Sequence, residues 1–407
     1  MARVLLILPT GTYRAADFVR AASALRVEVV VASEHRQAMA AAMEGRALVV
    51  PLRRPEAAAD AIVAFAGRYP VDAVVAVDEQ GVMAAALACE RLGLAHNPPA
   101  AVAATRDKAR LRQALAAAGV AQPEFRVARP DADLRRLAGE VGLPCVVKPV
   151  SLSGSRGVIR ADDPGAAAAA GARVRAILGA AEEDPAGPLL VEAFVPGAEV
   201  AVEGLLRGGE LEVLAVFDKP DPLDGPFFEE TIYVTPSRLA GATSAAVAAL
   251  VAAGAAALGL REGPVHAEVR VGGAGTPPRL LELAARSIGG LCSRALRFGT
   301  GMSLEEVILR HALGLGLDDL RREATASGVM MVPIPRSGDL VEVRGVDAAR
   351  SVPGVEGLEI TLAKGRPVRA LPEGDRYLGF LFASGPTPEA VEEALREAHG
   401  RLEVVIN

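Results

Sequence analysis

Four short apolar runs, RVLLILP, VEVVVAS, ALVVPL and DAVVAVD, follow one another within the first eighty residues, with helical stretches between several of them. Continuous apolar strands alternating with helices are the pattern of a parallel sheet covered on both faces. A Rossmann-like α/β domain over residues 1–95 is therefore expected. The alternation stops at GLAHNPPAAV, where Pro98-Pro99 interrupts it. A helix from about Arg106 to Ala118 should come next, with Gly119 as its C-cap glycine.

Beyond residue 120 the signals are mostly strands. VVKPVSLSGSRGVIRA reads as strand, loop, strand, and DDPGAAAAAGARVRAIL as a helix with Asp162 or Asp163 near its start. LLVEAFVPGAEVAVEGLL reads as two strands broken at Pro196-Gly197, and a further helix is expected around Leu304 to Leu313. The last eighty-odd residues look like a separate small strand-rich unit closed by a helix. Ala240 to Leu260 carries no charge, yet Val247, Leu250, Val251 and Leu258 share one helical face. That face predicts a packed helix and no membrane partner.

A net charge of −6 argues against a duplex nucleic-acid footprint. Cys89, Cys145 and Cys292 are odd in number and far apart, matching neither a disulfide framework nor a zinc site. Buried thiols in a reducing, cytoplasmic compartment are expected. The start, MARVLLILPTGTYR, has too short an apolar run for an exported segment and suits a buried strand. Of 44 basic residues only Lys108, Lys148, Lys219 and Lys364 are lysines. In a chain so biased to arginine, a retained lysine marks a place that wants a compact ammonium.

Two segments carry chemistry. In VVKPVSLSGSRGV the small residues could turn successive N–H groups toward one anion. Lys148 precedes that loop, unlike the lysine of G-x-x-x-x-G-K-[ST]. In PVHAEVRVGGAGTPPRLLELAAR two strands flank a glycine-rich turn. With the turn centred on Gly275, Glu268 lies opposite Glu282, and His266, Glu268 and Arg270 share a face with Glu282, Ala284 and Arg286. Ala267, Val269, Leu281, Leu283 and Ala285 then face the core. Carboxylates facing each other across a hairpin repel. Either a divalent cation offsets that repulsion, or Arg270 and Arg286 do.

Taken together, TRDKARLRQALAAAGV, PCVVKPVSLSGSRGV, LLVEAFVPGAEVAVEG, HAEVRV and LLELAARSIGG, in this order and spacing, resemble the ATP-grasp ligases. The tail and DKPDPLDGPFFEETIYVTPS are most similar to the L-amino-acid ligases and related carboxylate–amine ligases. The resemblance implies an ATP-grasp fold of two β-rich lobes, 96–195 with a glycine-rich lid and 196–320 with the metal site, then a small α+β domain, 321–407. Nucleotide would lie between the lobes. Lys148 would touch the α/β-phosphates and Lys108 would add a second contact. Ser153, Gly154, Ser155, Arg156 and Gly157 would form a mobile lid. The main chain from Glu192 through Ala193 and Phe194 to Val195 would read adenine, and Glu199 would accept from the ribose hydroxyls.

Glu268 and Glu282 would be metal carboxylates for one or two Mg2+ ions, with Mn2+ as a substitute. Many relatives carry E-x-N-x-R here, and Ala284 stands where their asparagine ligates. The implied reaction is ATP-driven condensation of a small-molecule carboxylate with an amine, both amino acids, through an acyl phosphate with release of ADP and phosphate. Arg286 would stabilise the transferring phosphoryl group and the oxyanion. Gly289 and Gly290, in RSIGG before a helix, would offer N–H groups to phosphate or a substrate carboxylate. His266 would orient substrate or help deprotonate the amine, unless it is simply a hydrogen-bonded half-buried histidine. Lys219 would sit on a loop edging the substrate pocket, and Lys364 on the surface. A homodimer through the first domain would be ordinary for the family. The rival readings are another ATP-grasp ligase or a carboxylase-like enzyme, and a nucleotide-binding sensor without turnover.

Overall fold

The four apolar runs form one parallel sheet, ordered Ala47–Val49, Glu28–Ser33, Arg3–Ile7, Ala73–Ala76. The computed structural model describes residues 1–36, 45–273 and 275–407. Leu5 and Ile7 pack with Ile62 and Ala84 of the helices Pro55–Ala66 and Val82–Leu92, while Val4 and Leu6 pack with Phe18 of Ala15–Ala24. Both faces are covered, which is why these runs are apolar without alternation. Each fully buried side chain of this kind contributes roughly 1.5–3 kcal/mol.

The helix expected as one piece over Arg106 to Ala118 is two, Pro99–Arg106 and Lys108–Ala117. Asp107 is extended between them, and its carboxylate accepts from the N–H groups of Ala109 and Arg110. An aspartate competing for those donors caps a new helix instead of continuing the old one. Pro99, taken above as part of a connector, occupies the first turn of the earlier helix, where its missing N–H costs nothing.

A four-stranded antiparallel sheet follows, ordered Phe125–Ala128, Leu189–Ala193, Cys145–Pro149, Ile159–Ala161. Asp163, one of the two expected residues, caps the helix Pro164–Ala180 through the N–H of Ala166. The largest sheet has eight strands, ordered Arg279–Ala284, Gly263–Val271, Ala198–Arg207, Glu210–Lys219, Ile232–Thr235, Ala326–Val332, Gly379–Gly385, Val355–Ile360. The break at Pro196-Gly197 is as expected. Gly197 has φ +119°, and a Cβ there would lie 2.3 Å from the Val271 carbonyl oxygen, so only glycine fits.

The tail does not stand apart. Three of its strands continue the eight-stranded sheet, because Ile232–Thr235 pairs with Ala326–Val332. A small sheet of Pro367–Val368, Gly338–Arg344 and Glu403–Ile406 lies beyond it. The alanine-rich helix Gly241–Leu258 is long and apolar enough by composition to cross a membrane. Its Val247, Val251 and Leu258 pack with Leu280 and Leu283 of the large sheet.

Candidate active site

The acidic hairpin has the expected register at its centre. Glu268 lies opposite Glu282, and Ala267 opposite Leu283. Past that point Val269 pairs with Leu280, so Leu281 is an extra residue on its strand. A bulge re-aims side chains. Leu281, expected in the core, is half-buried and lines the central cleft instead.

Neither arginine forms its direct ion pair with these two carboxylates, although the Arg286 charge is felt by Glu282. Arg270 Nε lies 2.9 Å from Glu199 and Arg286 Nε 2.7 Å from Glu79. Lys219 lies 3.2 Å and His266 Nε2 3.8 Å from Glu268, and Lys108 lies 3.9 Å from Glu282. Burial opposes ionisation of Glu268, but the Lys219 charge and the His266 hydrogen bond hold its carboxyl down at about 2. Two carboxylates on adjacent strands, with oxygen donors only, suit a hard cation such as Mg2+.

A second acidic cluster lies beside the first. Oxygens of Glu199, Glu230 and Glu268 come within 4.8 Å of one another, a spacing that could hold a metal. Lys219 already fills it, with Nζ 2.7 Å from Glu199 and 2.6 Å from Glu230. Burial alone would lower this ammonium's pKa, and the three carboxylates more than offset it. Lys219 ends the strand Glu210–Lys219 and is buried, not on the expected loop.

His266 is also buried. Its Nδ1 contacts Glu203, and its Nε2 lies 3.8 Å from Glu268. Burial disfavours the imidazolium, but Glu203 and then Glu268 raise its pKa to about 9. With a carboxylate at each ring nitrogen, the geometry suits the orienting role or the simple hydrogen-bonded histidine expected above better than a free base.

On the opposite wall Lys148 rises from the strand Cys145–Pro149, its Nζ 2.7 Å from Glu192. Arg112, which the sequence reading passed over, takes the other Glu192 oxygen and donates to the Leu281 carbonyl at 2.6 Å. Burial penalises the Glu192 charge, yet Arg112 and Lys148 bring its carboxyl to about 2. Burial pushes the Lys148 ammonium down despite Glu192. The hinge N–H groups of Ala193 and Phe194 donate to Glu124 and Pro144 carbonyls, each at 2.9 Å. Among the described residues this leaves the Val195 N–H as the hinge's uncommitted donor. Phe194 stacks on Phe228 at 6.3 Å between ring centroids. Glu199 is committed on both oxygens, to Lys219 and Arg270.

The serine–glycine loop lies over this wall. Gly154, Ser155 and Gly157 have φ of 63°, 55° and 73°, and Ser155 holds a conformation that side chains other than glycine seldom adopt. Lys108 Nζ donates to the Leu152 carbonyl at the loop's base. The Gly157 N–H donates to Pro372 O at 2.9 Å, and Arg156 lies 3.8 Å from Asp375. The loop thus docks on the tail, a contact no local pattern announced.

Past Arg286 the chain runs Ser287–Gly290 into a four-residue 3-10 turn, Cys292–Ala295, not the expected helix. So short a turn provides no helix dipole to speak of. Gly290 has φ +59°, and a Cβ there would lie 2.7 Å from the Phe380 ring. Arg14 of the first domain fixes this loop. It donates to Ser287 Oγ at 2.7 Å and Ile288 O at 3.0 Å, and pairs with Glu305 at 2.7 Å, all buried. Glu203 accepts from the Ile288 N–H at 3.0 Å.

One cleft of about 1530 Å³ is lined by every candidate residue named above except Gly157 and Lys219. Ligand pockets usually span about 300–1,000 Å³, so the volume has room for a nucleotide and small co-substrates together. Lys364 is exposed, as expected. The three cysteines are buried and free.

The fold and this cleft have counterparts. The family model of the ATP-grasp domain matches residues 141–295, and that of the ATP-grasp N-terminal domain residues 19–96. The chain carries an ATP-grasp domain. The tail of this ATP-grasp chain matches the L-amino acid ligase C-terminal domain 2 over residues 330–407. Alanine–anticapsin ligase of Bacillus subtilis is 29% identical over 250 residues, 58% of this chain and 52% of that protein. D-alanine–D-alanine ligase of Aromatoleum aromaticum is 34% identical over 185 residues, 45% of this chain and 57% of its own. The crystal structure of L-amino acid ligase from Bacillus licheniformis superposes with a TM-score of 0.81 at 25% identity, covering 100% of this chain and 99% of that one. The chain spans about half to two thirds of the length of the curated relatives it matches first.

Proposed function

We propose that this ATP-grasp chain is an ATP- and Mg2+-dependent carboxylate–amine ligase that joins two amino acids through an acyl phosphate. The observation that carries the reading is the cleft itself. Glu268 and Glu282 face each other there, with Lys148 and Lys108 on one side and Arg286 on the other. The likeness of the tail to an L-amino acid ligase domain, and of the whole chain to such a ligase, supports amino acids as substrates.

Lys148, oriented by Glu192, and Lys108, under the lid, neutralise the nucleotide phosphates. The Val195 N–H and neighbouring carbonyls take the adenine edge, with Leu281 packed against the ring. Glu268 and Glu282 would hold Mg2+, which would supply Lewis-acid stabilisation of the charge on the γ-phosphoryl group. A donor carboxylate oxygen attacks the γ-phosphorus, the bond to the bridging oxygen breaks, and ADP leaves. The neutral acceptor amine then attacks the acyl carbon, phosphate departs with its bonding pair, and the surplus N–H proton passes to the departing phosphate. Arg286 offsets charge on the transferring group and the tetrahedral oxyanion. Positioning and charge suffice for such transfers, and no protein nucleophile is needed.

Phosphate release from ATP and Mg2+, scanned over amino acids singly and in pairs with the nucleotide product identified, tests this reading. Release of ADP and phosphate that depends on particular pairs is expected. Formation of AMP and pyrophosphate would reject it.

A further inference from the structure

Arg286 and Glu79 form the floor of the cleft where the first domain meets the hairpin. Arg286 Nε lies 2.7 Å from Glu79 Oε2, and Arg286 Nη1 donates to its own loop at Ser287 O, 2.9 Å away. The other Glu79 oxygen lies 3.3 Å from Arg106 Nε. Glu79 keeps a quarter of its side chain exposed, and both partners line the cleft. An arginine poised on a reacting carboxylate is weakened by a permanent carboxylate partner. That partner therefore calls for a use.

Its place in the fold is the second observation. Glu79 lies just past Ala73–Ala76, at the carboxyl end of a parallel strand. Loops at the carboxyl ends of such strands are where open α/β sheets bind ligands. The loop after the first strand, at Thr10 and Thr12, and Glu34 after the second also line the cleft. The N-terminal sheet thus presents its ligand-binding end to the reacting centre, and Glu79 and Asp78 are its acidic residues nearest Arg286.

We propose that Glu79 binds the α-ammonium of the donor amino acid whose carboxylate faces Arg286, an assignment that rests on the ligase reading above. An α-amino acid carries its ammonium and carboxylate on one carbon, so the two charges lie side by side. A guanidinium and a carboxylate side by side are the complement of that pair. The same contact solves a chemical problem. Two amines are present during turnover, and only the acceptor's is to attack. A donor ammonium against Glu79, with Asp78 beside it, keeps its proton and its lone pair stays occupied. Glu79 selects an α-amino acid as donor and prevents it from acting as acceptor. No bond forms or breaks at Glu79.

The test uses full-length protein with glycinamide as acceptor, which has no carboxylate to activate. Donors are alanine against propionate, and leucine against 4-methylpentanoate, pairs differing only by the amino group. The wild type should prefer each amino acid by about 10²–10³ in kcat/KM, less than the roughly 10⁴–10⁵ of a fully buried polar partner left unpaired, because Glu79 keeps a quarter of its side chain exposed. Glu79→Gln should lower the amino-acid value about a hundredfold and leave the deamino value within about threefold, mostly through KM. Glu79→Asp should recover part of the preference. Turnover on the deamino donors shows that the variants fold. An equal fall for both donors would reject the proposal and make Glu79 only a support for Arg286, as would a wild type indifferent to the amino group. Absence of amide from every donor in the wild type would overturn the ligase reading itself.

Discussion

Arg14→Ala destabilises the protein by about 3–5 kcal/mol, the cost of leaving one partner of a buried ion pair behind. Arg14 is 1% exposed and Glu305 2%. Without the guanidinium, Glu305 keeps the Ser293 hydroxyl at 2.7 Å and its own backbone N–H. Burial raises the Glu305 carboxyl and Arg14 brings it below its ordinary range, so the orphaned group takes up a proton or draws in water. The loop at Ser287 and Ile288 also loses its anchor, and ligase turnover should fall with stability. Urea unfolding followed by fluorescence and by activity measures both. The combination Arg14→Met with Glu305→Met should recover most of the stability, since apolar replacement of a whole buried pair is often neutral. Equal stability of Arg14→Ala and wild type would show that the loop is held by something else.

Glu282→Ala lowers turnover by about a thousandfold, equivalent to about 4 kcal/mol of transition-state stabilisation, and raises the Mg2+ concentration for half-maximal rate. Glu230→Gln serves as the contrast. Glu230 belongs to the cluster that Lys219 fills, so its amide should leave the Mg2+ requirement unchanged whatever it does to the rate. Rates titrated with Mg2+ at saturating ATP separate the two. A shift in Mg2+ dependence with Glu230→Gln and none with Glu282→Ala would move the metal to the other cluster.

The parts legible in the sequence were those written in local patterns. Continuous apolar runs predicted the parallel sheet, and alternation on both sides of a glycine-rich turn predicted Glu268 opposite Glu282. Four lysines among 44 basic residues made Lys108, Lys148 and Lys219 stand out, and all three lie around the carboxylates. Arginine had the opposite problem. Arg14 and Arg112 are buried at the centre of their networks, but in so arginine-rich a chain no single one draws notice. Their partners, Glu305 and Glu192, are 291 and 80 residues away. The bulge at Leu281 left no mark either, because shifting one residue in a strand of LLELA preserves an apolar pattern. Asp107 was readable in principle. An aspartate before Lys108-Ala109 is a capping residue, and the good helix formers on both sides masked it. The tail's entry into the large sheet depends on a pairing between residues 92 to 98 apart in the chain, which periodicity cannot express.

In the proposed reaction a substrate carboxylate takes the γ-phosphoryl group before the amine arrives. Donor amino acid labelled with ¹⁸O in its carboxylate, turned over with ATP, Mg2+ and acceptor, tests it directly by mass spectrometry of the released phosphate. The acyl-phosphate route predicts one labelled oxygen in each phosphate. Unlabelled phosphate, or label recovered in AMP, would contradict it.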